Sequence, residues 1–411
     1  MNKCKVLWIS TCTPVNGMKH AGGVNFKHDF DDIASDERFD VTIISISEDA
    51  DKAIVEEELS WVKHHLIYLE HSFISKIKKI KNIESKYNIW NVHAGLISNY
   101  CSDSIVRTCQ QMSEHYIPDL IILEYTGCVV LVKELKKIFP HAVYAAKEHD
   151  VTYIGYERKK DYYNGLGGII WGARYRHEKR VELQALKECD LIMPHNPDNF
   201  RTLIRDGISD NSLYWYVPYY QNLSHCKRNS NHRDILFYGA MARPENYLSC
   251  KWFIEKVMPL ICDLDVRFVV LGSNPPTELK QMGNDRVIIT GFVEHIEPYF
   301  EQSMCLVAPL VLGAGIKIKI LEALSSGIIV LTNEVGIEGI SATPGCEYIH
   351  CDEPRDYAEA IRRIKQNNID EGAIRSATLK LIEKYNVEES FKKYKNKLLS
   401  RCGFKSEFGT E

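Results

Sequence analysis

Short apolar runs rich in β-branched residues alternate with longer segments of helical period along most of the chain. The runs cover residues 6–10, 41–46, 120–123, 142–146, 191–193, 235–238, 268–271, 287–289, 305–308 and 328–331. Strands that are hydrophobic throughout and separated by helices are typical of parallel sheets covered on both faces. The pattern therefore predicts an α/β protein with two doubly wound parallel-sheet domains that face each other across a cleft.

The alternation is interrupted once, at residues 221–233 (QNLSHCKRNSNHR), which are polar and lack apolar periodicity. We interpret this stretch as a linker. The chain has 411 residues, which suits two domains of about 200 residues each. We therefore predict an N-terminal domain at 1–222, a C-terminal domain at 232–385, and a terminal helix and tail at 386–411 that could belong to either domain.

The composition argues against several classes of protein. The chain has 51 Lys and Arg against 55 Asp and Glu, and this balance argues against a nucleic-acid-binding protein, which needs a basic surplus. The thirteen cysteines include no CxxC pair, so we expect reduced thiols and no zinc site. No apolar run approaches the ~20 residues of a membrane span, and the N-terminal run is too short for a signal peptide. We expect a soluble, cytoplasmic protein.

The segment with the clearest chemistry is 313–323 (GAGIKIKILEA), which follows the strand predicted at 305–308. Ligands of open parallel sheets bind at the carboxyl ends of strands. Lys317 and Lys319 lie in or near the first turn of the predicted helix, where the helix dipole disfavours cations. A bound phosphate would resolve this conflict, and Glu322, one turn further on, is placed to bind hydroxyls such as those of a ribose. A solvated Lys/Glu face would produce the same pattern.

Polar side chains also follow other predicted strands. Arg243 precedes a proline that suits the first turn of a helix, and Arg243 or Asn246 could contact the same anion; Arg243 could equally be a surface loop residue. In the first domain Glu124 follows a strand, and His149 follows another. We predict a functional role for His149, although most lone histidines are structural. The pair Asp263 and Asp265 precedes its strand, at the wrong sheet edge for a catalytic metal, so no metal is predicted.

These segments resemble glycosyltransferase family 4, whose members have the GT-B fold of two Rossmann-like domains. The resemblance covers most of residues 234–340 and is specific, because several motifs recur in order in the correct strand context. The motifs lie at 237–246, 291–293, 308–323 and 335–339, with weaker matches at 21–23 (AGG) and 148–150 (EHD). The chain departs from the family at Ala314, where many members have the first of two glutamates.

The resemblance implies a retaining, metal-independent hexosyltransferase that needs no cofactor and uses a nucleotide-sugar donor, with a UDP-sugar favoured. It makes 1–222 the acceptor-side domain and 232–385 the donor domain. The residues implied to bind the donor are Gly22, Gly23, Arg243, Asn246, Gly315, Ile316, Lys317, Lys319 and Glu322. Those implied to bind the base are Phe292, Val293 and Glu294. Those implied to act in catalysis, near the transferred sugar, are His149, Asp150 and Glu124.

A membrane contact is the last expectation. Residues 73–90 combine an apolar helical stripe with five lysines and one glutamate, as in helices that lie on anionic lipid. An ordinary packed helix with a solvated lysine face fits equally well. The basic run at 392–405 could extend the same surface. The acceptor would then be a saccharide or a lipid-linked molecule, and the protein would act peripherally on the inner face of the plasma membrane.

The resemblance places the activity in bacterial surface polysaccharide or glycolipid synthesis. Two alternatives stay open at this stage. A nucleotide-sugar epimerase can share the two-domain fold and would alter its nucleotide sugar without an acceptor. A non-catalytic partner subunit would bind the donor without turnover, and Ala314 is the residue that favours this alternative.

Overall fold

The computed structural model describes residues 2–16, 21–48, 52–69, 96–229, 231, 233–312 and 315–404. The amphipathic segment 73–90, Ala314 and the tail after residue 404 lie outside the described residues. The chain divides into two compact units. The N-terminal unit comprises Met1–Val217 and Glu388–Glu411, and the C-terminal unit comprises Pro218–Val387. The terminal helix therefore belongs, apart from its first residue, to the N-terminal unit.

The division between the units lies before the predicted linker rather than within it. The backbone N–H of Gln221 donates to the carboxylate of Glu322 (3.3 Å), and that of Leu223 donates to the hydroxyl of Ser325 (2.8 Å). These two acceptors lie on the helix Ile318–Ser326 of the C-terminal unit. Residues 221–233, interpreted from the sequence as a linker, are therefore part of the C-terminal unit in the structure, where two of their backbone N–H groups bond to one of its helices.

Six parallel strands form the sheet described in the N-terminal unit, in the order β3-β2-β1-β4-β5-β6. The strands are β1 Cys4–Ser10, β2 Phe39–Glu48, β3 Lys63–Leu69, β4 Leu120–Glu124, β5 Val143–Glu148 and β6 Leu191–Pro194. The α-helices are Ala21–Ala34, Lys52–Glu58, Asn99–Met112, Thr126–Val129, Val132–Ile138, Thr152–Tyr162, Leu166–Leu186, Pro197–Arg205 and Val387–Arg401. A 3-10 turn covers Asp210–Ser212.

The C-terminal unit repeats this topology, with strand order β12-β11-β10-β7-β8-β9 among its described residues. The strands are β7 Asp234–Tyr238, β8 Arg267–Leu271, β9 Val287–Gly291, β10 Cys305–Ala308, β11 Ile329–Thr332 and β12 Ile349–His350. The α-helices are Pro244–Trp252, Thr277–Gln281, Glu297–Gln302, Ile318–Ser326, Glu334–Ile337, Pro354–Lys365 and Glu371–Ile382. A π-turn covers Phe253–Val257, and 3-10 turns cover Met258–Ile261 and Glu383–Tyr385.

The two sheets have the same strand connectivity. In each unit the first strand lies in the middle of the sheet, beside the second and the fourth strand of that unit. The direction of winding reverses between the first and the fourth strand, and ligands of such sheets bind at the carboxyl ends of strands near this reversal. Each of the ten apolar runs overlaps an observed strand, so the predicted α/β class of two doubly wound sheets is confirmed.

Two other expectations concern membranes and metals. None of the helices in the described part of the chain combines the length and the apolar character needed to cross a bilayer. Within the same residues no group of three or more His, Cys, Asp and Glu side chains is arranged to hold a metal ion. Asp263 of the Asp-x-Asp pair instead forms an ion pair with Arg362 (2.5 Å).

Two lysines in the described part of the basic run near the C-terminus are paired with acids. Lys395 is 14% exposed and lies 2.9 Å from Asp32 and 3.3 Å from Asp36, two acids of the first helix region. Lys393 pairs with Glu389 on its own helix (2.6 Å). These contacts bind the helix Val387–Arg401 to the N-terminal unit and neutralise part of the charge that suggested a lipid surface.

Candidate active site

The lysine-bearing helix of the C-terminal unit begins at the edge where the sequence places a ligand. The helix spans Ile318–Ser326 and ends at Gly327, whose φ of 72° is left-handed, as the sequence predicts for a helix stop. Lys317 is the N-cap residue and provides no side-chain cap. The first N–H groups of a helix lack acceptors within it, so this end can bind an anion through its backbone.

Lys319 lies in the first turn of this helix, and its side chain contacts several neighbouring groups. Its Nζ donates to the side-chain oxygen of Asn246 (2.5 Å) and lies 4.7 Å from the centre of the Phe237 ring. A Cβ on Gly239 would lie 2.9 Å from the Asn246 amide nitrogen and 3.1 Å from the Lys319 Nζ, so glycine is required at this strand end. Burial lowers the pKa of Lys319 to about 7, and the charges of Arg243 and Lys317 act in the same direction.

Lys317 has a different environment from Lys319. It forms an ion pair with Glu338 (3.1 Å), and both side chains are about one-tenth exposed. Its Nζ also donates to the carbonyl of Gly315. Glu338 follows the helix Glu334–Ile337, which comes directly after β11, the neighbour of β10 in the sheet. The two lysines are therefore not an equivalent pair, because Lys317 is neutralised by a carboxylate while Lys319 is not.

Glu322 lies one turn further along the same helix and is 7% exposed. Its carboxyl accepts the backbone N–H of Gln221 (3.3 Å). Burial raises the pKa of Glu322 to about 8, with the Gln221 N–H and the charge of Lys319 opposing the shift. A buried carboxyl beside a cationic helix start can bind the hydroxyls of a ribose, which is the role that the sequence predicts for it.

The remaining donor residues surround this helix start in different ways. Arg243 is the N-cap of the helix Pro244–Trp252, with Pro244 in its first turn, and is half exposed at 3.6 Å from Glu245. Asn246 is 7% exposed and donates to the carbonyl of Ala240 (2.8 Å). Gly315 (φ 76°) and Ile316 are buried directly before the helix. Of these residues, Asn246 contacts the Lys319 ammonium directly, and the positive charge of Arg243 acts on it.

The residues expected to bind the base follow β9, an edge strand of the sheet. Phe292 is 77% exposed, Glu294 is exposed and Val293 is half-buried. Gly291, the last residue of β9, has a φ of 74°. An exposed aromatic ring is available for stacking on a base, and the assignment of these three residues stays a prediction.

The N-terminal unit places a second polar cluster at the carboxyl ends of its central strands. Strand register brings Ser10, Glu124 and Lys147 side by side at the ends of β1, β4 and β5. Glu124 was expected after its strand, but it is the last residue of β4; Lys147 is the next-to-last residue of β5, and both are fully buried. A charged residue in a buried strand end must be paired, and here it is.

His149 comes directly after β5 and is oriented by two neighbours. Its Nε2 bonds to the carboxylate of Glu124, which also accepts the indole N–H of Trp8 (2.9 Å). Its ring stacks on Tyr125 with 4.4 Å between ring centres. Tyr125 has a φ of 67°, a left-handed conformation that is strained for a tyrosine. The bond to the buried Glu124 carboxylate and the stacking on Tyr125 hold the imidazole ring in one orientation, as positioned catalytic histidines require.

Lys147 is the centre of a buried charge network beneath this histidine. Its Nζ pairs with Asp29 and lies 3.7 Å from Glu124. Asp29 also accepts the hydroxyl of Tyr216 (2.7 Å), which is 2.8 Å from His195. Burial raises the pKa of both carboxyls while Lys147 acts in the opposite direction. The network supplies Glu124 with a compensating cation, so Glu124 can serve as acceptor for His149.

The other residues predicted in this unit lie near the cluster but have different partners. Glu148 is fully buried and accepts the hydroxyl of Thr126 (2.6 Å); burial raises its pKa to about 8, and the charge of Asp150 adds to the shift. Gly22 and Gly23, which the resemblance implies in donor binding, lie in the first turn of the helix Ala21–Ala34.

Sequence reasoning missed most of the supporting residues. They share burial and a direct bond to a predicted site residue or to its partner, and they are Trp8, Asp29, Lys147, His195 and Tyr216. One signal was present in the sequence: Lys147 interrupts an otherwise apolar strand, which is costly unless a carboxylate faces it. The partners themselves are distant in sequence and carried no such signal.

Part of the chain matches the model of a known protein family. Residues 232–367, within the C-terminal unit, match the family model described as glycosyl transferases group 1. A Klebsiella pneumoniae protein, "Uncharacterized 44.6 kDa protein in cps region", is 23% identical over 163 residues. That match covers 37% of this chain and 42% of the relative, so the chain matches less than half the length of this curated relative.

Solved structures resemble the whole chain. Sucrose-phosphate synthase from Thermosynechococcus elongatus has a TM-score of 0.67 at 16% identity and covers 95% of both chains. Anabaena Alr3699/HepE in complex with UDP-glucose has a TM-score of 0.65 at 12% identity, covering 96% of this chain and 99% of its own. Likeness at such low identity establishes the fold. The chain therefore has the GT-B fold of two parallel-sheet units, and its residues 232–367 match the glycosyl transferases group 1, which supports a glycosyltransferase.

Proposed function

We propose that the protein is a retaining glycosyltransferase of family 4 that takes a sugar from a nucleotide-sugar donor without a metal or a cofactor. The acceptor would be a saccharide or a lipid-linked molecule in bacterial surface polysaccharide or glycolipid synthesis. The observation that carries the proposal is the Lys319 site, where a partly buried ammonium at a helix start bonds to Asn246 and interacts electrostatically with Arg243 and Glu322.

The site suits a departing nucleoside diphosphate. Breaking the bond between sugar and diphosphate builds negative charge on the leaving group, and fixed cations and helix N–H groups aimed at it stabilise the transition state. Lys317, Lys319 and the first N–H groups of the helix Ile318–Ser326 would supply this stabilisation without a divalent ion. Glu322 would bind the ribose. The relative solved with UDP-glucose supports a UDP-sugar as donor.

In the N-terminal unit we assign His149 to the transferred sugar. Its Nε2 is occupied by Glu124, so the ring is held in one orientation against Tyr125. A ring so held can direct a polar edge at a sugar hydroxyl and help to orient it for reaction. Asp150, next in sequence, and Gly22 with Gly23 at the start of their helix are proposed to complete the sugar and phosphate contacts of this unit.

The experiment that tests the proposed function has two stages. A thermal-shift panel of uridine, guanosine and adenosine diphosphates and their sugars identifies the donor, because a ligand that binds the folded state selectively raises its stability. The selected donor, radiolabelled in its sugar, is then incubated with saccharide and lipid-linked acceptors. Transfer of label to an acceptor with retained anomeric configuration supports the proposal. A donor altered without acceptor indicates an epimerase, and binding without turnover indicates a non-catalytic partner subunit.

The affinity for nucleoside diphosphate should depend on pH through Lys319. The free ammonium has a pKa of about 7, and a bound diphosphate would raise it, so binding takes up a proton. Affinity should therefore fall as pH increases from about 7 to 9, by up to about tenfold per pH unit. Ionisation of Glu322, whose pKa is about 8, acts in the same direction because it adds negative charge beside the ligand.

Calorimetry in buffers of different ionisation enthalpy measures both the affinity and the proton uptake. Lys319→Arg is the matched control: arginine stays charged throughout this range, so the part of the pH slope that comes from Lys319 should disappear and only the part from Glu322 should remain. A pH slope that persists unchanged in Lys319→Arg would assign the titration to another group and remove Lys319 from the phosphate site.

A further inference from the structure

Exposed apolar side chains concentrate at one end of a helical hairpin in the N-terminal unit. The hairpin consists of the helices Thr152–Tyr162 and Leu166–Leu186. Five of the twelve large apolar side chains most exposed among the described residues lie within residues 162–170. Scattered single exposures are normal on a protein surface, whereas a cluster of this kind marks a contact site. We call this end of the hairpin, residues 162–171, the hairpin tip.

Three aliphatic side chains are the most exposed large apolar groups of the hairpin tip. Leu166, Ile169 and Ile170 are 78%, 69% and 59% exposed. Their spacing of three and four residues places them on one face of the first turns of their helix. Gly168 keeps the two helices close, since a Cβ there would lie 2.5 Å from the carbonyl oxygen of Tyr163. The tip is therefore a compact apolar face of defined secondary structure rather than a loose loop.

Aromatic side chains with polar atoms border these aliphatic groups. Tyr163 stacks on Trp171 with 6.2 Å between ring centres, and Tyr162 packs edge-on against Tyr163 at 5.1 Å. Tyr162 and Tyr163 are 45% and 40% exposed. Tyrosine and tryptophan favour the boundary between water and lipid, because each has an apolar ring and one polar atom.

The hairpin is basic in a chain whose net charge is −4. Residues 152–186 contain seven Lys and Arg and four Asp and Glu. Of the acids, Glu178 bonds to Arg174 (3.2 Å) and Asp161 to Lys160 (3.1 Å). The Lys159 ammonium lies 5.0 Å from the centre of the Trp171 ring, so positive charge adjoins the aromatic border. This surface complements a negatively charged partner.

We propose that the hairpin tip inserts into the interfacial region of an anionic phospholipid bilayer. Leu166, Ile169 and Ile170 would enter the acyl boundary, the tyrosines and Trp171 would lie at headgroup level, and the cations would contact lipid phosphates. A second copy of the chain fits the surface poorly, since two basic hairpins in contact would repel each other. The proposal does not depend on the proposed sugar transfer, and it concerns a different surface from residues 73–90.

Vesicle sedimentation tests the proposal with the full-length protein. The vesicles contain phosphatidylcholine alone or phosphatidylcholine with an equal amount of phosphatidylglycerol. We expect binding to the anionic vesicles that weakens with added salt, and little binding to phosphatidylcholine alone. The triple variant Leu166→Gln, Ile169→Gln and Ile170→Gln keeps the charge and should bind anionic vesicles at least about tenfold more weakly.

A matched control separates the tip from general hydrophobicity. Ile54→Gln with Ile117→Gln removes two side chains that are 56% and 71% exposed elsewhere in the same unit, and this variant should bind vesicles as the parent does. Equal thermal unfolding of all variants excludes misfolding. The proposal is overturned if the parent does not bind anionic vesicles, if the triple variant binds as well as the parent, or if both variants lose binding equally. A parent dimer that only the triple variant dissociates, without vesicle binding, would reassign the tip to self-association.

Discussion

Replacing Lys317 and Lys319 together with Ala is expected to weaken nucleoside diphosphate binding by about 100- to 10,000-fold, since each charge-assisted hydrogen bond contributes about 1.5–3 kcal/mol and about 1.4 kcal/mol is tenfold in affinity. The loss has a second source in this protein. Lys317 neutralises Glu338, and both side chains are about one-tenth exposed. Without Lys317, a largely buried carboxylate would face the incoming diphosphate. Titration calorimetry with the donor nucleotide measures the change.

Two further variants separate these contributions. Lys317→Ala combined with Glu338→Gln removes the ion pair as a unit and should bind more tightly than Lys317→Ala alone. Lys251→Ala removes a lysine that is also ion-paired in the C-terminal unit, with Glu278, and should leave the affinity unchanged. Parent-like affinity in the double lysine variant would mean that the phosphate does not bind at this helix.

Replacing His149 with Ala should lower kcat by about 100- to 10,000-fold while changing donor affinity by less than about threefold, as expected when a positioned group acts mainly in the transition state. The physical reason is the fixed geometry of the ring between Glu124 and Tyr125. The diphosphate site lies on the other unit and retains its cations in this variant. Steady-state kinetics together with calorimetry give the two quantities separately.

His141→Ala is the matched control, because His141 is exposed just before β5, at the opposite end of the strand that His149 follows. It should react at the parent rate. Loss of turnover and affinity in equal measure in His149→Ala, or loss of neither, would remove His149 from the sugar site.

The central strands could be predicted because burial on both faces makes them continuously apolar, as in residues 120–123 and 305–308. No such signal marks β3 and β12, each at one edge of its sheet, whereas β6 and β9 at the opposite edges are apolar enough to be predicted. An edge strand has one neighbour and one protected side, so Lys63–Leu69 keeps polar residues, and Ile349–His350 is only two residues long. Their absence from the prediction therefore has a structural cause.

The helix that carries Lys319 and Glu322 could be predicted because the argument is local: apolar spacing, a glycine stop and cations at the positive end of the dipole. The ion-pair partner of Lys317 could not be predicted from the sequence. Glu338 is 21 residues away and approaches only because β10 and β11 are adjacent in the sheet. The same holds for Asp29, which reaches Lys147 across 118 residues of sequence. A local sequence pattern cannot predict ion pairs that depend on the order of strands in the sheet.

The central claim is that a nucleoside diphosphate binds where the helix Ile318–Ser326 begins. A crystal structure of the protein with the diphosphate selected in the thermal-shift panel tests it most directly. The account predicts that the phosphates lie within hydrogen-bonding distance of the Lys319 Nζ and the first backbone N–H groups of this helix, with the ribose at Glu322. A diphosphate ordered elsewhere on the protein, with Lys319 still bonded only to Asn246, would contradict it.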